Sequence, residues 1–418
     1  MESIATQPVP INHHAPDAMI IRDIRDTHED GTYSLLADVT LENRQKTETL
    51  RLSVPSEYAS WFRPSPDVFL TASIMAALWH REPHITLADA IDAQLVERLG
   101  LAMRYMRHGH HHVGPIPEIR AERTPASQRP PVQPATAIFL SGGVDSTAAL
   151  HRNVATYPPG DSRRISAAFF VHGLDVGDPN KKDRPDVWTL AIERLGALCH
   201  THGITLIPVS VNLRNLEKGW YFYAEWQFAS LLAAIAHAAG ARLSRCIIAP
   251  DNDIEHTQSP HGSHPWMNSY FGSDCLEIVT GDMEQFSRLD KIRMLAQHPE
   301  HLDALRVCWD ADAIPAGHLN CGRCAKCIRT MIEFLACGQP EGLRAFPVKE
   351  VTADMLRAIH IRSHTELEYF EELPEPLEAV GRADLARLIR RKLWLFNAEH
   401  RLGLNRLRPF AKKLLGRH

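Results

Sequence analysis

The spacing of apolar residues changes three times along the 418-residue chain. Three early runs, 18–24, 32–41 and 48–54, read as β-strands divided by turn-formers such as Glu29-Asp30-Gly31. The pattern then turns helical, so residues 1–112 are expected to form an N-terminal α+β domain. Residues 113–135 hold six prolines among Arg, Ser and Gln, which predicts an extended linker. From 136 to 337, apolar runs near 136–140, 165–171, 204–213, 244–249 and 304–309 alternate with helical stretches near 147–156, 184–202, 225–240 and 287–299. Alternation at this spacing implies an α/β fold, a parallel twisted sheet with helices on both faces, whose ligands bind beyond the carboxyl ends of the strands. Residues 338–418 read as a helical C-terminal extension with a basic tail.

Size and charge narrow the class. At 44% hydrophobic content, 418 residues exceed one ordinary domain and suffice for a large core. Fifty acidic residues against 46 basic ones leave a net charge of −4, so no global basic field draws the chain to nucleic acid. The stretch from Met1 to Thr6 lacks the regions of a signal peptide, and the apolar helical stretch 228–241 includes His237 and is too short to cross a bilayer. A soluble, cytoplasmic protein with no membrane span is expected. The tail carries Arg401, Arg406, Arg408, Lys412, Lys413 and Arg417 and no acid, which reads as a solvated, partly frayed terminal helix, with docking to RNA, an acidic protein partner or a membrane surface as the alternative.

Chemistry concentrates where the first central strand meets its helix, in Ser141-Gly142-Gly143-Val144-Asp145-Ser146. Gly142 and Gly143 give a strand-to-helix turn its backbone freedom and let the main chain touch a ligand. The first helical turn leaves N–H groups and the positive end of its dipole facing the loop, where phosphate meets several donors at once. Ser141 and Ser146 add hydroxyls. Asp145 would repel phosphate unless it caps the helix or shares a magnesium ion with it; the shared Mg2+ is the favoured reading.

A second constellation is Cys321-Gly-Arg-Cys324-Ala-Lys-Cys327, whose spacing lets a knuckle present three sulfurs to one ion. Zinc takes four such ligands, and Cys308 is the first choice for the fourth, with His318 as its rival. Such a site would be structural. Cys199, Cys246, Cys275 and Cys337 fit a role as buried small hydrophobes.

The Ser-Gly-Gly-x-Asp-Ser sequence resembles the signature of the PP-loop ATP pyrophosphatases, of the adenine nucleotide alpha hydrolase-like type. Residues 136–337, with Cys-x2-Cys-x2-Cys near their end, look like the 7-cyano-7-deazaguanine synthase branch of that family. The resemblance implies an enzyme using ATP, Mg2+ and structural Zn2+: a small carboxylate is adenylated, pyrophosphate leaves, and ammonia or an amine displaces AMP to give an amide or nitrile. It implies nucleotide contacts from Ser141, Gly142, Gly143, Val144, Asp145 and Ser146, and from Val171 and His172 at the end of the second strand. Asp145 and Ser146 are the expected catalytic residues of the loop. Arg288 and Lys291, between the last strands and the cysteines, are candidates to neutralise pyrophosphate as it leaves, with plain surface positions an equal reading. The sequence departs from the synthase pattern at His172-Gly173-Leu174-Asp175, in the longer gap from Cys308 to Cys321, and in both terminal additions. A tRNA-modifying enzyme and a nucleotide-binding component of a protein-modifying or defence complex are the alternative readings. The chain lacks the early cysteine of a glutaminase, and a homodimer and a protein partner on the N-terminal region are left open.

Weaker candidates follow from position. Asp251-Asn252-Asp253 follows a strand and suits a turn or a ligand equally. Arg214 is a candidate for the substrate carboxylate or a surface ion pair. His264 reads as a loop histidine bonded to backbone, slightly ahead of a catalytic one. The tract of His108, His110, His111 and His112 reads as solvated.

Overall fold

The computed structural model describes residues 18–110, 113–124, 135–255, 257, 260–361 and 364–401. Its strands in chain order are β1 Met19–Glu29, β2 Thr32–Leu41, β3 Lys46–Pro55, β4 His84–Leu87, β5 Ile91–Asp92, β6 Glu118–Arg120, β7 Arg123–Thr124, β8 Thr136–Phe139, β9 Ile165–His172, β10 Thr205–Val211, β11 Arg245–Ile247 and β12 Glu277–Val279. Ten of them form one sheet in the order β12-β11-β8-β9-β10-β3-β2-β1-β4-β6, and β5 pairs with β7 apart from it. The run β10-β9-β8-β11-β12 is parallel, as are the far pairs β1-β4 and β4-β6, whereas β1, β2 and β3 form an antiparallel meander. The N-terminal segment joins the central one through β3 and β10, antiparallel with Ser53 opposite Ser210 and Leu52 opposite Val211.

The expected α/β class therefore holds, as a large and mostly parallel sheet flanked by helices. Alternate side chains of each central strand enter different cores. Ala137, Phe139, Phe169 and Val209 face one core with the helices Pro66–Trp79 and Phe228–Ala238. Ile138, Leu140, Ala168 and Phe170 face the other, with the helices Val144–Thr156, Pro185–Thr201, Arg288–Ala296 and Ala325–Ala336. Leu35, Val39, Leu50 and Leu52 of the meander belong to the first core, so the two segments share one apolar layer. Among the described residues, no helix is long and apolar enough to cross a membrane.

Two local expectations need correction. Residues 304–309 form no strand: the Arg306 amide donates to the Gly142 carbonyl (2.8 Å), and those of Val307 and Cys308 donate to Asn320 Oδ1 (2.8 and 3.2 Å). Their donors brace the Ser-Gly-Gly loop and the cysteine knuckle instead of a ladder. The helix expected over 225–240 begins after a π-helical turn, Tyr223–Gln227, a distortion common at functional sites. The C-terminal segment is helical as expected, through His364–Glu371 and Ala383–Arg401. The basic residues beyond Arg401, His111, His112 and residues 125–134 of the proline-rich stretch lie outside the described residues, while 118–120 and 123–124 of that stretch form β6 and β7.

Four histidines meet behind the sheet. His301 is fully buried, with ring centroids of His151 at 5.1 Å, His298 at 5.2 Å and His202 at 6.5 Å, and neither of its nitrogens finds a hydrogen bond among the described residues. Burial and the neighbouring imidazoles push His301 down to about 4 from an ordinary 6.5. The unfolded chain takes up this proton first, so the contribution is complete above pH 6.5 and is lost as pH falls towards 4. Urea unfolding at pH 7.5 and pH 5 should show a lower midpoint at the acid pH and a smaller drop in His301→Leu; an equal drop in that variant would contradict this assignment.

Candidate functional site

The Ser-Gly-Gly loop leaves the carboxyl end of β8 at the mouth of a cleft of about 370 Å3. Gly142 has φ +77°, and a Cβ there would lie 2.7 Å from the Ala304 carbonyl oxygen, so only glycine fits. Gly143 is different: its backbone is extended, with φ −68°, and it serves as N-cap of Val144–Thr156 with no side chain capping that helix. The helix therefore starts at Val144, three residues earlier than expected, with Asp145 and Ser146 in its first turn. Inside the loop, the Gly143 amide donates to Ser141 Oγ (3.2 Å) and the Ser141 amide to Ser146 Oγ (3.3 Å), which fixes both hydroxyls beside the open helix end.

Cations converge on this loop from distant parts of the chain. Arg288 Nη1 donates to Asp145 Oδ2 at 2.8 Å, and Arg288 Nε meets Glu333 Oε2 at 3.3 Å. Lys291 Nζ lies 3.4 Å from Asp145 Oδ1 and donates to the Pro250 carbonyl at 2.9 Å. Burial alone would push the Asp145 carboxyl up; the Arg288 and Lys291 charges more than reverse this and hold it below the usual carboxylate range. Arg306 pairs with Asp175 at 3.5 Å, while Arg329 pairs with Glu333 at 3.2 Å and lies over the Tyr369 ring at 4.1 Å. Arg288, Arg306, Arg329 and Lys326 all line the cleft.

The cleft lining also has an aromatic and acidic part, with Trp220, Tyr223, Phe228, Glu225 and Asp251. The π-helical turn delivers Tyr223 and Glu225 to it. His261 lies 3.4 Å from Asp251; burial opposes ionisation of this carboxyl, but His261 and Lys291 outweigh it and keep its pKa low. Gly173 has φ +101° with room for no Cβ, since one would lie 1.8 Å from the Val211 carbonyl oxygen. That turn sends Leu174 and Asp175 into the cleft.

At the basic edge stands the cysteine knuckle. The sulfurs of Cys308, Cys321, Cys324 and Cys327 all lie within 4.8 Å of one another, and Cys308–Cys324 and Cys321–Cys327 are each 3.8 Å apart. A tetrahedral ion bonded to sulfur at about 2.3 Å sets neighbouring sulfurs about 3.8 Å apart, so the four fit a metal ion such as zinc. Amides of Arg323 and Cys324 donate to Cys321 Sγ at 3.4 and 3.2 Å, as thiolate ligands require. Cys308 is thus the fourth member, and His318 is not in the cluster.

The structure gathers Ser141, Gly143, Val144, Asp145, Ser146, Val171 and Arg288 around the cleft, with Lys291 buried behind Asp145 and Gly142 shaping the turn. His172 is turned aside, bonded to Asp183 at 3.0 Å and edge-on to Trp188 at 5.1 Å. Arg214 is neither a ligand nor a surface pair: it is fully buried, bonded to Asp178 (3.1 Å) and to the carbonyls of Leu174 and Lys218 (2.6 and 2.8 Å), where it braces the loops beneath the cleft. His264 accepts from the Trp266 amide (3.1 Å) and meets Tyr105 Oη (3.0 Å), as a backbone-bonded loop histidine should. All eight cysteines are free, and Cys199 and Cys246 are buried, whereas Cys275 and Cys337 are only partly so.

Sequence reasoning missed Lys326, Arg329, Glu333 and Tyr369. The signal was available for three of them: charges at 326, 329 and 333 interrupt an otherwise apolar helix that starts inside the cysteine motif. Fold and site together define an α/β protein with a cleft, lined by charged, aromatic and aliphatic side chains, beyond the carboxyl ends of parallel strands and a four-cysteine knuckle at its edge. No family model matches the chain, and no curated protein or solved structure is significantly similar to it.

The knuckle predicts one metal ion per chain, held by four sulfurs. Metal analysis of Cys324→Ser should find most of the metal gone and the melting temperature several degrees lower; full metal content with unchanged melting would remove the site.

Proposed function

We propose that this chain is an ATP-dependent ligase of the PP-loop pyrophosphatase type, resembling 7-cyano-7-deazaguanine synthase in its central segment. The observation that carries the reading is the convergence of an uncapped helix start and four basic side chains, Arg288, Arg306, Lys326 and Arg329, on one cleft. Separated elements collect positive charge where the loop offers free N–H groups, an arrangement suited to a polyphosphate.

In this reading the loop amides, with Ser141 and Ser146, bind the β and γ phosphates of ATP. A carboxylate or amide oxygen of the substrate attacks the α phosphorus, the bond to the bridging oxygen breaks, and pyrophosphate leaves with the electron pair. Charge grows on that oxygen during the step, so Arg288 and the loop donors favour the transition state over the ground state. Asp145 would hold magnesium, which supplies charge neutralisation between the phosphates. The adenylate then takes ammonia or an amine at its acyl carbon, and the carbon–oxygen bond to AMP breaks as the attacking nitrogen loses a proton. Asp251 and Glu225 on the cleft lining suit a cationic amine or its released proton. Zinc in the knuckle would be structural, fixing the helix that carries Arg329 and Glu333.

The test is turnover of ATP labelled at the α phosphate with magnesium, ammonium and a panel of carboxylates that includes 7-carboxy-7-deazaguanine. AMP and pyrophosphate should form with a particular acid, and Asp145→Asn, which preserves the shape of the side chain beside Arg288, should lower the rate about a hundredfold or more. ADP in place of AMP, or an Asp145→Asn protein as fast as the wild type, would refute the assignment.

A further inference from the structure

Of the four basic side chains on the cleft lining, three are already committed. Arg288 serves Asp145 and Glu333, Arg306 serves Asp175, and Arg329 serves Glu333 and Tyr369. Of their other donors, Arg288 Nη2 and Arg306 Nε are sealed from solvent and find no partner among the described residues. Lys326 differs on both counts. Its side chain is only partly buried, and no hydrogen bond or ion pair engages its ammonium among the described residues. Among the described residues it is the one of these four basic groups that no carboxylate holds at ion-pair distance.

Its placement is equally specific. Lys326 sits between Cys324 and Cys327, and Cys324 caps the helix Ala325–Ala336 by accepting from the Cys327 amide at 3.4 Å. A metal ion bound to both cysteines pins the peptide on either side of the lysine, while the same helix carries Arg329 and Glu333 one and two turns further on. A long flexible side chain is thereby anchored at its root, which lowers the entropy lost when it grips an anion.

We propose that Lys326 is a phosphate-binding residue of the cleft, donating its ammonium to a non-bridging phosphate oxygen of the bound nucleotide or of pyrophosphate, and that the cysteine knuckle exists in part to hold it there. The inference rests on the reading of the cleft as a polyphosphate site and adds a residue, and a use for the metal, that the loop signature does not contain. Lysine suits the task because a compact ammonium can follow phosphate from one oxygen to another as the α–β bond breaks.

The test is calorimetric titration of the zinc-loaded full chain with magnesium pyrophosphate. Lys326→Gln should weaken binding about tenfold or more, the scale of one lost charge-assisted hydrogen bond, with metal content and melting temperature unchanged. Lys326→Arg should recover most of the affinity, and added salt should weaken the glutamine variant less than the wild type because one charge is missing. Wild-type affinity in Lys326→Gln would overturn the proposal and leave the polyphosphate reading standing. Loss of metal in step with loss of affinity would also overturn it, by assigning the effect to the knuckle. A wild-type protein that binds no pyrophosphate would sink the polyphosphate reading itself.

Discussion

The site is organised by a chain of charges, Asp145–Arg288–Glu333–Arg329, buried in all but its first member. Glu333 has no exposed surface, and a carboxylate so placed is sustained only by opposite charge and hydrogen bonds. Removing one member of such a chain costs about 3–5 kcal/mol, because the partner stays behind in a medium that cannot solvate it. The constraint joins three helices that are remote in sequence: the one beginning in the Ser-Gly-Gly loop, Arg288–Ala296 and Ala325–Ala336. Their relative positions are set by charge pairing as much as by the apolar layer beneath them.

Two further devices keep the loop in place. The Gly142 turn is closed by the segment that follows the buried His301, through the Ala304 carbonyl against Gly142 and the Arg306 amide on the Gly142 carbonyl. The cysteine knuckle fixes both that segment, through Cys308, and the start of the helix carrying Glu333. A metal ion bound in the knuckle would therefore be mechanically coupled to the geometry of the Ser-Gly-Gly loop, although the sulfurs themselves carry out no chemistry on the proposed reading.

Much of this was legible in the chain because strong local signals coincide with the elements they specify. The runs at 32–41 and 165–171 became β2 and β9 almost residue for residue, and the knuckle assembled with Cys308 as its fourth member. What stayed hidden was long-range pairing. Nothing in residues 48–54 announces that β3 will meet β10 and fuse the meander to the parallel sheet, because edge partners are chosen by tertiary packing and not by local pattern. The run 304–309 has strand composition, yet its amides are taken by Gly142 and Asn320. Arg214 and Arg288 illustrate the same limit: sequence gives the charge, while its partner, Asp178 in one case and Asp145 with Glu333 in the other, is set by the fold.

The central claim is that the Ser141–Ser146 loop and the basic edge of the cleft form one polyphosphate site. It is tested most directly by a crystal structure of the full chain grown with magnesium and pyrophosphate. The account predicts pyrophosphate density against the first-turn amides of Val144–Thr156, within reach of Arg288 and Lys326. Density elsewhere on the molecule, or none at a concentration where calorimetry detects binding, would contradict it.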